Sequence, residues 1–333
     1  MKILVTGAAG FIGFHLTGRL LRDGNDLTGV DNMAPYYNVQ LKRDRLNVLD
    51  RAHGMSGHFV FHEMDICDLQ ALKRVFEASR PDCVVHLAAQ PGVRYSVTHP
   101  LACQKANLDG FLNVLECCRS ASVKPRLVYA SSSAVYGGNK TLPFSEDQAV
   151  DHPVSLYAAT KRANELMAHV YSHLYGIQTI GLRFFTVYGP WYRPDMAIYL
   201  FSDAMTQGRS LQVFNYGRMQ RDFTYVDDIV EGVVGCVTGN TFDRYEIFNI
   251  GNNKAEQIMD MIDILAFELG VKPKVELLPM QDGDVSATWA NVDRLKAKTG
   301  YEPKTPIRVG IPKFVEWYKA YALKNNLPTT RTP

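Results

Sequence analysis

Short apolar runs alternate with stretches of helical periodicity along the first half of the chain. The runs are rich in Val, Ile and Leu, which is typical of strands buried on both faces of a parallel sheet. They are Ile3 to Val5, LTGVD ending at Asp31, VVHLAA near 84–89, RLVYAS near 126–131 and TIGLRFF near 179–185. The alternation predicts an α/β fold with a doubly wound parallel sheet.

The alternation fades after about residue 186. The later segments are rich in Pro, Gly, Arg and Asp, which indicates a smaller C-terminal lobe that caps the carboxyl edge of the sheet. With 333 residues and 46% apolar content, the chain exceeds one typical single-core domain. We therefore predict a sheet domain over 1–185, to which segments at about 225–250 return, and a substrate-binding lobe mainly over 186–333.

Three glycines follow the first apolar run. In KILVTGAAGFIGFHL the strand leads into Gly7, Gly10 and Gly13 and then into an amphipathic helix, which is the context of a dinucleotide-binding Rossmann fingerprint. These glycines permit a tight turn, close approach of backbone amides to a pyrophosphate, and close packing of helix on strand. The pyrophosphate would lie at the helix N-terminus, where the dipole favours an anion. A strand-to-helix turn without a ligand is the alternative.

Asp31 ends the second apolar run and favours the dinucleotide interpretation. An acidic side chain at this place hydrogen-bonds the ribose hydroxyls of adenosine and repels a 2′-phosphate, so NAD is favoured over NADP. The polar stretch that follows, between Asn32 and Gly57, is too long for an ordinary connection. We predict a short helix around 38–50 within it, beside the adenosine half of the cofactor.

Tyr157 and Lys161, the ends of the run YAATK, indicate the chemistry. A tyrosine has a pKa of about 10 and is a poor base unless a nearby cation stabilises its phenolate. Lys161 lies four residues along a helix and therefore on the same face as Tyr157. Ser132, at the expected end of the preceding strand, could hold a substrate alcohol against the phenolate. Serines 131–133 could also simply end a strand, and the order and spacing relative to Tyr157 favour the active-site interpretation.

Composition narrows the class of protein. A net charge of +2 without a long Lys/Arg block gives no reason to expect a nucleic-acid partner. The six cysteines have no metal-ligand spacing, so we expect reduced, mostly buried thiols and no metal site. The first residues enter a strand at once, and no apolar run has the length of a membrane span. We therefore expect no signal peptide, no membrane partner and a cytoplasmic location.

The combination of motifs resembles a known family. The most specific runs are TGAAGFIG at 6–13, AAQPGVRYS at 88–96, HPVSLYAATKRANELMAH at 152–169, RFFTVYGPWYRPDMA at 183–197, NYGRMQRDFTYVDDI at 215–229 and PMQDGDV at 279–285. In this order they resemble the extended short-chain dehydrogenases/reductases of the NAD-dependent epimerase/dehydratase family. The similarity runs nearly end to end and is greatest to the bacterial UDP-glucuronate 4-epimerases.

The resemblance implies roles for the residues of the cofactor half. It implies Ser132 as the catalytic hydroxyl, Tyr157 as the base, and Lys161 as the residue that lowers the pKa of Tyr157 and holds the nicotinamide ribose. Asp65 and Ile66 match the pair that faces adenine. The implied NAD contacts, besides Tyr157 and Lys161, are Gly7, Gly10, Phe11, Ile12, Gly13, Asp31, Asn32, Asp65, Ile66, Leu87, Ala88, Ala89 and Asn107.

The resemblance also implies a reaction and its substrate contacts. UDP-glucuronic acid would become UDP-galacturonic acid through a transient 4-keto sugar, with NAD held tightly throughout. Arg221 matches an arginine that pairs with UDP phosphate, and Asp284 matches an acid that accepts from the uridine ribose. The 4-keto intermediate is a β-keto acid that loses CO₂ readily. The protein must therefore hold the carboxylate so that its C–C bond does not align with the 4-keto group. Ser133 and Thr186, with Arg193 close by, are the candidates, while Arg94 is either an anion contact or a solvated loop charge.

Two neighbouring positions separate related reactions. The resemblance implies acidic residues just after the catalytic hydroxyl in dTDP-sugar dehydratases, and a Glu before VYG in UDP-glucuronate decarboxylases, whereas this chain has Ser133 and Ala134. Ala134 lacks a hydroxyl common in the epimerases, and Tyr192 replaces a glycine common in PWGRPDMA. A UDP-glucose 4-epimerase and a decarboxylase stay open as alternatives. A non-catalytic NAD-sensing regulator is disfavoured, because such proteins usually lose the Tyr/Lys pair.

Two helices carry stripes that would suit the four-helix homodimer interface implied by the resemblance. One stripe is Leu101, Leu108, Leu112 and Leu115, and the other is Met167, Val170, Tyr171 and Leu174. Burial against the chain's own sheet is equally compatible with this periodicity.

His86, on an apolar strand, is expected to be a core histidine with a hydrogen-bond partner.

Overall fold

The computed structural model describes residues 1–51, 57–280 and 285–325. A parallel sheet of seven strands lies at its centre, in the order β11-β6-β5-β4-β1-β2-β3. The strands of the described chain are β1 (Lys2–Thr6), β2 (Asp26–Asp31), β3 (Phe59–Glu63), β4 (Cys83–His86), β5 (Arg126–Ser132), β6 (Thr179–Phe184), β7 (Thr186–Tyr188), β8 (Ser210–Val213), β9 (Gln220–Arg221), β10 (Phe223–Tyr225), β11 (Tyr245–Ile250), β12 (Glu256–Gln257), β13 (Lys274–Leu277) and β14 (Ala287–Thr288). The predicted doubly wound Rossmann sheet is confirmed.

Helices cover both faces of the sheet. They are α1 (Phe11–Arg22), α2 (Val39–Arg51), α3 (Leu69–Ser79), α4 (Val93–Thr98), α5 (Pro100–Gln104), α6 (Gly110–Ser120), α7 (Leu156–Tyr175), α8 (Ala197–Thr206), α9 (Val226–Thr238), α10 (Ile258–Leu269), α11 (Asp293–Thr299) and α12 (Ile307–Trp317). A π-helical turn at Lys105–Asp109 joins α5 to α6, and a 3₁₀ turn at Ser133–Tyr136 follows β5. Within the described ranges, no helix is long and apolar enough to cross a membrane.

Alternate side chains of the strands pack against opposite helical layers. On β1, Leu4 belongs to one buried cluster with Val84 and Leu127. Its neighbours Ile3 and Val5 belong to the other buried cluster, as the two-residue period of a strand requires. Each such fully buried aliphatic side chain stabilises the fold by about 1.5–3 kcal/mol. Both faces are therefore apolar, which explains why the strand sequences are nearly continuous hydrophobic runs.

The strand order reverses at β1, which pairs with β2 on one side and β4 on the other. In an open α/β sheet, the crevice at such a switch point is the usual ligand site. The backbones after β1 and β4 come close together here, because Gly7 has a φ of 75° and a Cβ on it would lie 2.8 Å from the Ala88 nitrogen. The switch point therefore places the glycine loop beside residues 87–89.

The second half of the chain adds smaller sheets at the carboxyl edge of the central one. They pair β7 with β10, β8 with β13, and β9 with both β12 and β14. Between them, Tyr245–Ile250 returns to the central sheet and pairs with β6 in parallel. Two helices of this half, α8 and α12, pack against α10.

Most predicted elements of the first half are present, with one boundary wrong. The helix predicted around 38–50 is α2, and the strand predicted at 126–131 is β5. The strand predicted at 84–89 ends at His86. Leu87 still donates its backbone N–H to the Thr6 carbonyl, but the Ala88 amide turns to the Thr6 hydroxyl. The apolar residues 87–89 leave the sheet because they form a wall of the cleft at the switch point.

Candidate active site

A cleft with a volume of about 400 Å³ opens at the switch point. One wall consists of the glycine loop and the ends of β2 and β4, and the opposite wall consists of the end of β5 and the start of α7. The cleft brings together these predicted residues: Gly7, Gly10, Phe11, Ile12, Gly13, Asp31, Asn32, Asp65, Ile66, Leu87, Ala88, Ala89, Ser132, Tyr157, Lys161 and Arg193.

The glycine loop is packed too tightly for any other residue. A Cβ on Gly13 would lie 2.1 Å from the Gly7 carbonyl oxygen, and that same oxygen accepts the Gly10 amide at 2.9 Å. Gly10 caps α1 without a side-chain hydrogen bond. The first-turn amides of α1 are therefore left for a ligand, and the dipole of this helix favours an anion such as a pyrophosphate.

Asp31 lies at the adenosine end of the cleft, where the Rossmann fingerprint predicts it. Its Oδ1 accepts the Met33 amide at 2.9 Å and the Lys42 ammonium at 3.1 Å. Both of these contacts within the described chain fall on Oδ1, so Oδ2 is left for ribose hydroxyls. Lys42 lies on α2 and belongs to no motif that would reveal its ion pair with Asp31.

Asn32 and Asp65 form the neighbouring part of this wall. The Asn32 amide donates to Asp65 Oδ2 at 3.1 Å, and the Cys67 backbone N–H donates to Asp65 Oδ1 at 2.8 Å. Partial burial acts to raise the pKa of Asp65, but these hydrogen bonds outweigh it and hold that pKa below its usual value. The carboxylate stays ionised and fixes the turn that presents Ile66 to the cleft.

Ser132, Tyr157 and Lys161 meet on the opposite wall. Ser132 is the last residue of β5, and Tyr157 lies in the first turn of α7, whose N-terminus is capped by the Ser155 hydroxyl. The Tyr157 amide is held by Ser96 Oγ at 3.1 Å. Lys161 is almost fully buried one turn later. The spacing of YAATK thus places both side chains on one helix face, as predicted.

Burial dominates the pKa of Tyr157 in this structure, and the lowering of that pKa by Lys161 stays a prediction. Burial raises the pKa of Tyr157, and the Ser132 hydrogen bond and the Arg193 charge only partly oppose the rise. Lys161 Nζ lies 6.0 Å from the centre of the Tyr157 ring and donates to the Ala130 carbonyl at 2.9 Å. Burial lowers the pKa of Lys161 itself to about 8. Burial thus disfavours the charged forms of both side chains.

A buried ion pair supports the catalytic wall from behind. Glu165, fully buried two turns after Tyr157, accepts from Ser131 Oγ at 2.6 Å. It also accepts from the Arg183 guanidinium at 2.8 and 2.9 Å, and Arg183 in turn donates to the Tyr136 hydroxyl at 3.0 Å. These bonds link α7, the end of β5 and β6, so Ser131 holds the neighbouring Ser132 in register with α7.

Asn107 does not line the cleft, although the resemblance implies a cofactor contact. It lies in the π-helical turn, where its Oδ1 accepts the Gln90 amide at 2.8 Å. Its Nδ2 donates to the Gln90 carbonyl at 3.2 Å and to Thr160 Oγ1 at 3.1 Å. Asn107 therefore acts one layer back, where it holds the Gln90 backbone that forms the wall.

The predicted substrate contacts are less concentrated than the cofactor contacts. Arg193 lines the cleft and pairs with Asp195 at 3.2 Å. Ser133 and Thr186 lie outside the lining, each next to a residue that belongs to it: Ser132 for the first, Phe185 and Val187 for the second. Of these three polar side chains, Arg193 is the one that lines the cleft.

Two other predicted contacts, Arg94 and Arg221, also lie away from the lining. Arg94 is exposed beside Val93, with its guanidinium 5.7 Å from the centre of the Phe214 ring. Arg221 is on β9 and donates to the Gln220 carbonyl at 2.9 Å. Asp284 lies outside the described residues.

Sequence reasoning missed several lining residues. Tyr36, Tyr37 and Lys42 reach the cleft from the polar stretch after Asp31, and Gln90 and Met196 come from loops. For the first three, the signal in the sequence was the unusual length of that polar stretch, whereas Gln90 and Met196 lie within the runs 88–96 and 183–197. Outside the cleft, His86 is a core histidine as predicted: it is buried, its Nδ1 lies 2.8 Å from Thr6 Oγ1, and burial lowers its pKa to about 3. The six cysteines are free thiols, five of them buried.

With this geometry in view, comparisons with known proteins are decisive. The model of the NAD dependent epimerase/dehydratase family matches residues 3–251. The chain belongs to this family. It is 45% identical over 340 residues to Protein CapI of Staphylococcus aureus, which covers 97% of this chain and 100% of that protein. It is 44% identical over 336 residues to UDP-glucuronate 4-epimerase 2 of Arabidopsis thaliana, which covers 96% of this chain and 76% of that protein.

Solved structures of the epimerase/dehydratase family agree with this assignment. The chain superimposes on UDP-glucuronic acid 4-epimerase from Bacillus cereus, crystallised with UDP-glucuronic acid and NAD, with a TM-score of 0.88. The two are 32% identical over 96% of this chain and 99% of that chain. The cofactor of this family is NAD, and the cleft fits it. The uncapped amides of α1 would hold a pyrophosphate, Asp31 would accept from a ribose, and the tight glycine loop would permit close approach.

Proposed function

We propose that this protein catalyses the NAD-dependent 4-epimerisation of UDP-glucuronic acid to UDP-galacturonic acid. The observation that carries the proposal is the position of Ser132, Tyr157 and Lys161 on the wall opposite the glycine loop. A sugar bound between these walls has a proton acceptor on one side and a hydride acceptor on the other. Relatives named for this reaction, at 44% identity over most of the chain, support the choice of substrate.

The side chains of this chain perform the proton chemistry. Tyr157, as the phenolate, takes the proton of the sugar 4-hydroxyl, and Ser132 holds the same oxygen by a hydrogen bond. Lys161 supplies positive charge near the developing phenolate and binds the nicotinamide ribose. Bound NAD would supply the acceptor for the C4 hydride and the donor that returns this hydride to the opposite face of the sugar. The 4-keto sugar stays in the cleft and rotates between these steps, and Tyr157 then returns the proton.

The substrate contacts that we propose come from several loops. Arg221 and Arg94 would bind the diphosphate, and Asp284 would accept from the uridine ribose. Ser133, Thr186 and Arg193 would hold the carboxylate so that its C–C bond does not align with the 4-keto group. Two observations support this role: Arg193 lies in the lining of the cleft, and Ser133 and Thr186 are each adjacent in sequence to a lining residue.

Neighbouring reactions are disfavoured by the residues after Ser132. Ser133 and Ala134 carry no carboxyl group, so neither can shuttle the proton that elimination of water or assisted decarboxylation requires at neutral pH. Epimerisation needs only the proton acceptor Tyr157. This difference supports an epimerase over a dehydratase or a decarboxylase.

We infer a homodimer with α5, α6 and α7 at its interface. Leu101 and Leu174 are 78% and 61% exposed, and Leu112 and Val170 are also exposed. Leu115 is instead buried in the chain's own core, with Met167 and Tyr171 packed beside it. The predicted stripes thus divide into an inner row and an outer row, and the outer row supports an interface between two copies. Light scattering at micromolar concentration should give twice the monomer mass.

Two further features complete the proposal. The NAD-binding domain comprises residues 1–185 with β11 and its neighbouring segments at about 225–250, and 186–333 forms mainly the nucleotide-sugar lobe. The enzyme acts in the cytoplasm, which the six free cysteines support.

The test is incubation with UDP-glucuronate and no added reductant, followed by NMR of the sugar. We expect UDP-galacturonate. A protein that ignores UDP-glucuronate and epimerises UDP-glucose would overturn the substrate assignment and leave the fold and cofactor assignments intact.

A further inference from the structure

Three consecutive residues between β7 and α8 contact the helices α1 and α2. The Pro190 carbonyl lies 2.9 Å from His15 Nε2. The Trp191 carbonyl accepts from Arg45 Nη2 at 2.5 Å. The Tyr192 ring packs edge-on against Phe11 with their centres 5.0 Å apart. We call residues 190–192 the clasp, because they fasten the loop that carries Arg193 to the helix that faces the pyrophosphate.

Arg45 is the central contact of the clasp. It is fully buried, and its Nη1 donates to the Ala9 carbonyl at 2.9 Å and to the Tyr37 hydroxyl at 2.7 Å. Its partners in the described chain are thus two backbone carbonyls and a phenol, with no carboxylate to offset the buried charge. Burying a charged group in this way is costly. The two carbonyls belong to the glycine loop and to the clasp, so Arg45 ties these two loops together.

The backbone of the clasp is held in a strained form. Trp191 has a φ of 61°, which is uncommon for a bulky residue. Its ring is packed against Phe14 and Tyr321 with centres 5.5 and 4.6 Å away, while Arg45 fixes its carbonyl. Such strain persists only where the surroundings over-determine it, and it clusters at ligand clamps.

The clasp lies against the cofactor wall. Phe11 follows Gly10 in the glycine loop, and both Phe11 and Tyr192 line the cleft, as does Arg193 immediately after the clasp. These side chains therefore border the space in which a dinucleotide would bind. The same three residues join the cofactor wall to the side chain proposed to hold the sugar carboxylate.

We propose that the clasp retains NAD in the cleft and sets the position of Arg193, with Arg45 as the positioning residue. This inference rests on the proposed function, because an epimerase must keep its cofactor while the sugar is oxidised. Arg45 acts through Ala9 and Trp191 and touches no reacting atom. Its removal should loosen cofactor and substrate together.

The experiment follows the exchange of bound NAD for labelled NAD in the purified protein, without sugar. Arg45→Met should exchange at least tenfold faster than wild type. It should also raise KM for UDP-glucuronate more than it lowers kcat, because Arg193 is displaced while Tyr157 is intact. Arg43→Met is the matched control, since Arg43 is exposed on the same helix. This control should exchange NAD at the wild-type rate.

Tyr192→Gly provides a second variant if Arg45→Met does not fold. It removes the ring that contacts Phe11 and should also speed exchange, whereas Tyr192→Phe keeps the ring and should exchange slowly. If folded Arg45→Met and folded Tyr192→Gly both exchange NAD at the wild-type rate, the clasp does not retain NAD and the proposal is overturned. Because exchange is measured without sugar, a failure of the clasp and a failure of the proposed reaction give separate results.

Discussion

The cofactor half and the substrate half of the cleft are built differently. Twelve residues predicted to contact NAD, from Gly7 to Ala89, line the cavity. On the substrate side, Arg193 lines it, whereas Ser133, Thr186, Arg94 and Arg221 lie outside the lining. The cofactor half is made of backbone at the ends of adjacent parallel strands, so short local motifs define it. The substrate half depends on side chains from loops that are distant in sequence.

The two halves of the cleft should differ in how readily single substitutions change them. Backbone sites such as the glycine loop are fixed by the fold itself, since a Cβ on Gly13 cannot be accommodated. Side-chain sites can change with single substitutions. We therefore expect family members to share the cofactor half and to differ in the sugar that they accept.

The largest effect on activity should come from Tyr157, which faces both the cofactor half and the substrate half of the cleft. Tyr157→Phe removes the proton acceptor and should lower kcat by about 10²–10⁴-fold, the usual contribution of a general base. Bound NAD should stay at the wild-type level, because the ring still packs in the wall. Steady-state kinetics and the absorbance of NAD released on denaturation check both parts. Activity within threefold of wild type would exclude Tyr157 as the base.

Gly13→Ala tests whether the cofactor half is fixed by backbone. The added Cβ would lie 2.1 Å from the Gly7 carbonyl oxygen, so the loop must move. We expect a loss of about 1–3 kcal/mol in the free energy of unfolding and purification without NAD, whereas wild type should release NAD on denaturation. Gly138→Ala is the control, because a Cβ there meets nothing within 4 Å. A stable Gly13→Ala protein that retains NAD would contradict the account.

The pH profile tests the catalytic pair. The base form of Tyr157 needs a lost proton, and burial raises its pKa, whereas Lys161 must keep its proton and has a pKa of about 8. The rate should therefore rise up to about pH 8, about tenfold per pH unit for a single proton, and level off above it. In Lys161→Met the lysine no longer titrates, so the rate should continue to rise above pH 8. A profile that is flat from pH 6 to 8 in wild type would refute this assignment.

A smaller effect is expected in the substrate half. Thr186→Ala should lower epimerisation by about tenfold, the worth of one hydrogen bond to a charged group. The freed carboxylate should align with the 4-keto group, so some UDP-pentose and CO₂ should form, which mass spectrometry detects. Thr206→Ala, on α8, is a control hydroxyl that bonds Ser202 and lies outside the lining. Slower epimerisation with no pentose would show that Thr186 does not guard the carboxylate.

The sequence predicted what depends on local pattern. The strands around Asp31 and Ser132 and the helix 39–51 lie where periodicity indicates. It failed where tertiary contacts decide, because residues 87–89 leave the sheet to line the cleft. Burial also raises the pKa of Tyr157, and the spacing of YAATK does not reveal this burial. Lys42 and Arg45 were also missed: Lys42 meets Asp31 across a polar stretch without a motif, and Arg45 binds backbone carbonyls, one of them at Trp191 far along the sequence.

The most direct test of the central claim follows the hydride itself. UDP-glucuronate labelled with deuterium at C4 is incubated with the purified protein, without added NAD, and the product is examined by NMR and mass spectrometry. The account predicts UDP-galacturonate with deuterium retained at C4, because Tyr157 removes only the hydroxyl proton and the hydride returns to the same carbon. Product that has exchanged its C4 deuterium for solvent hydrogen would contradict it.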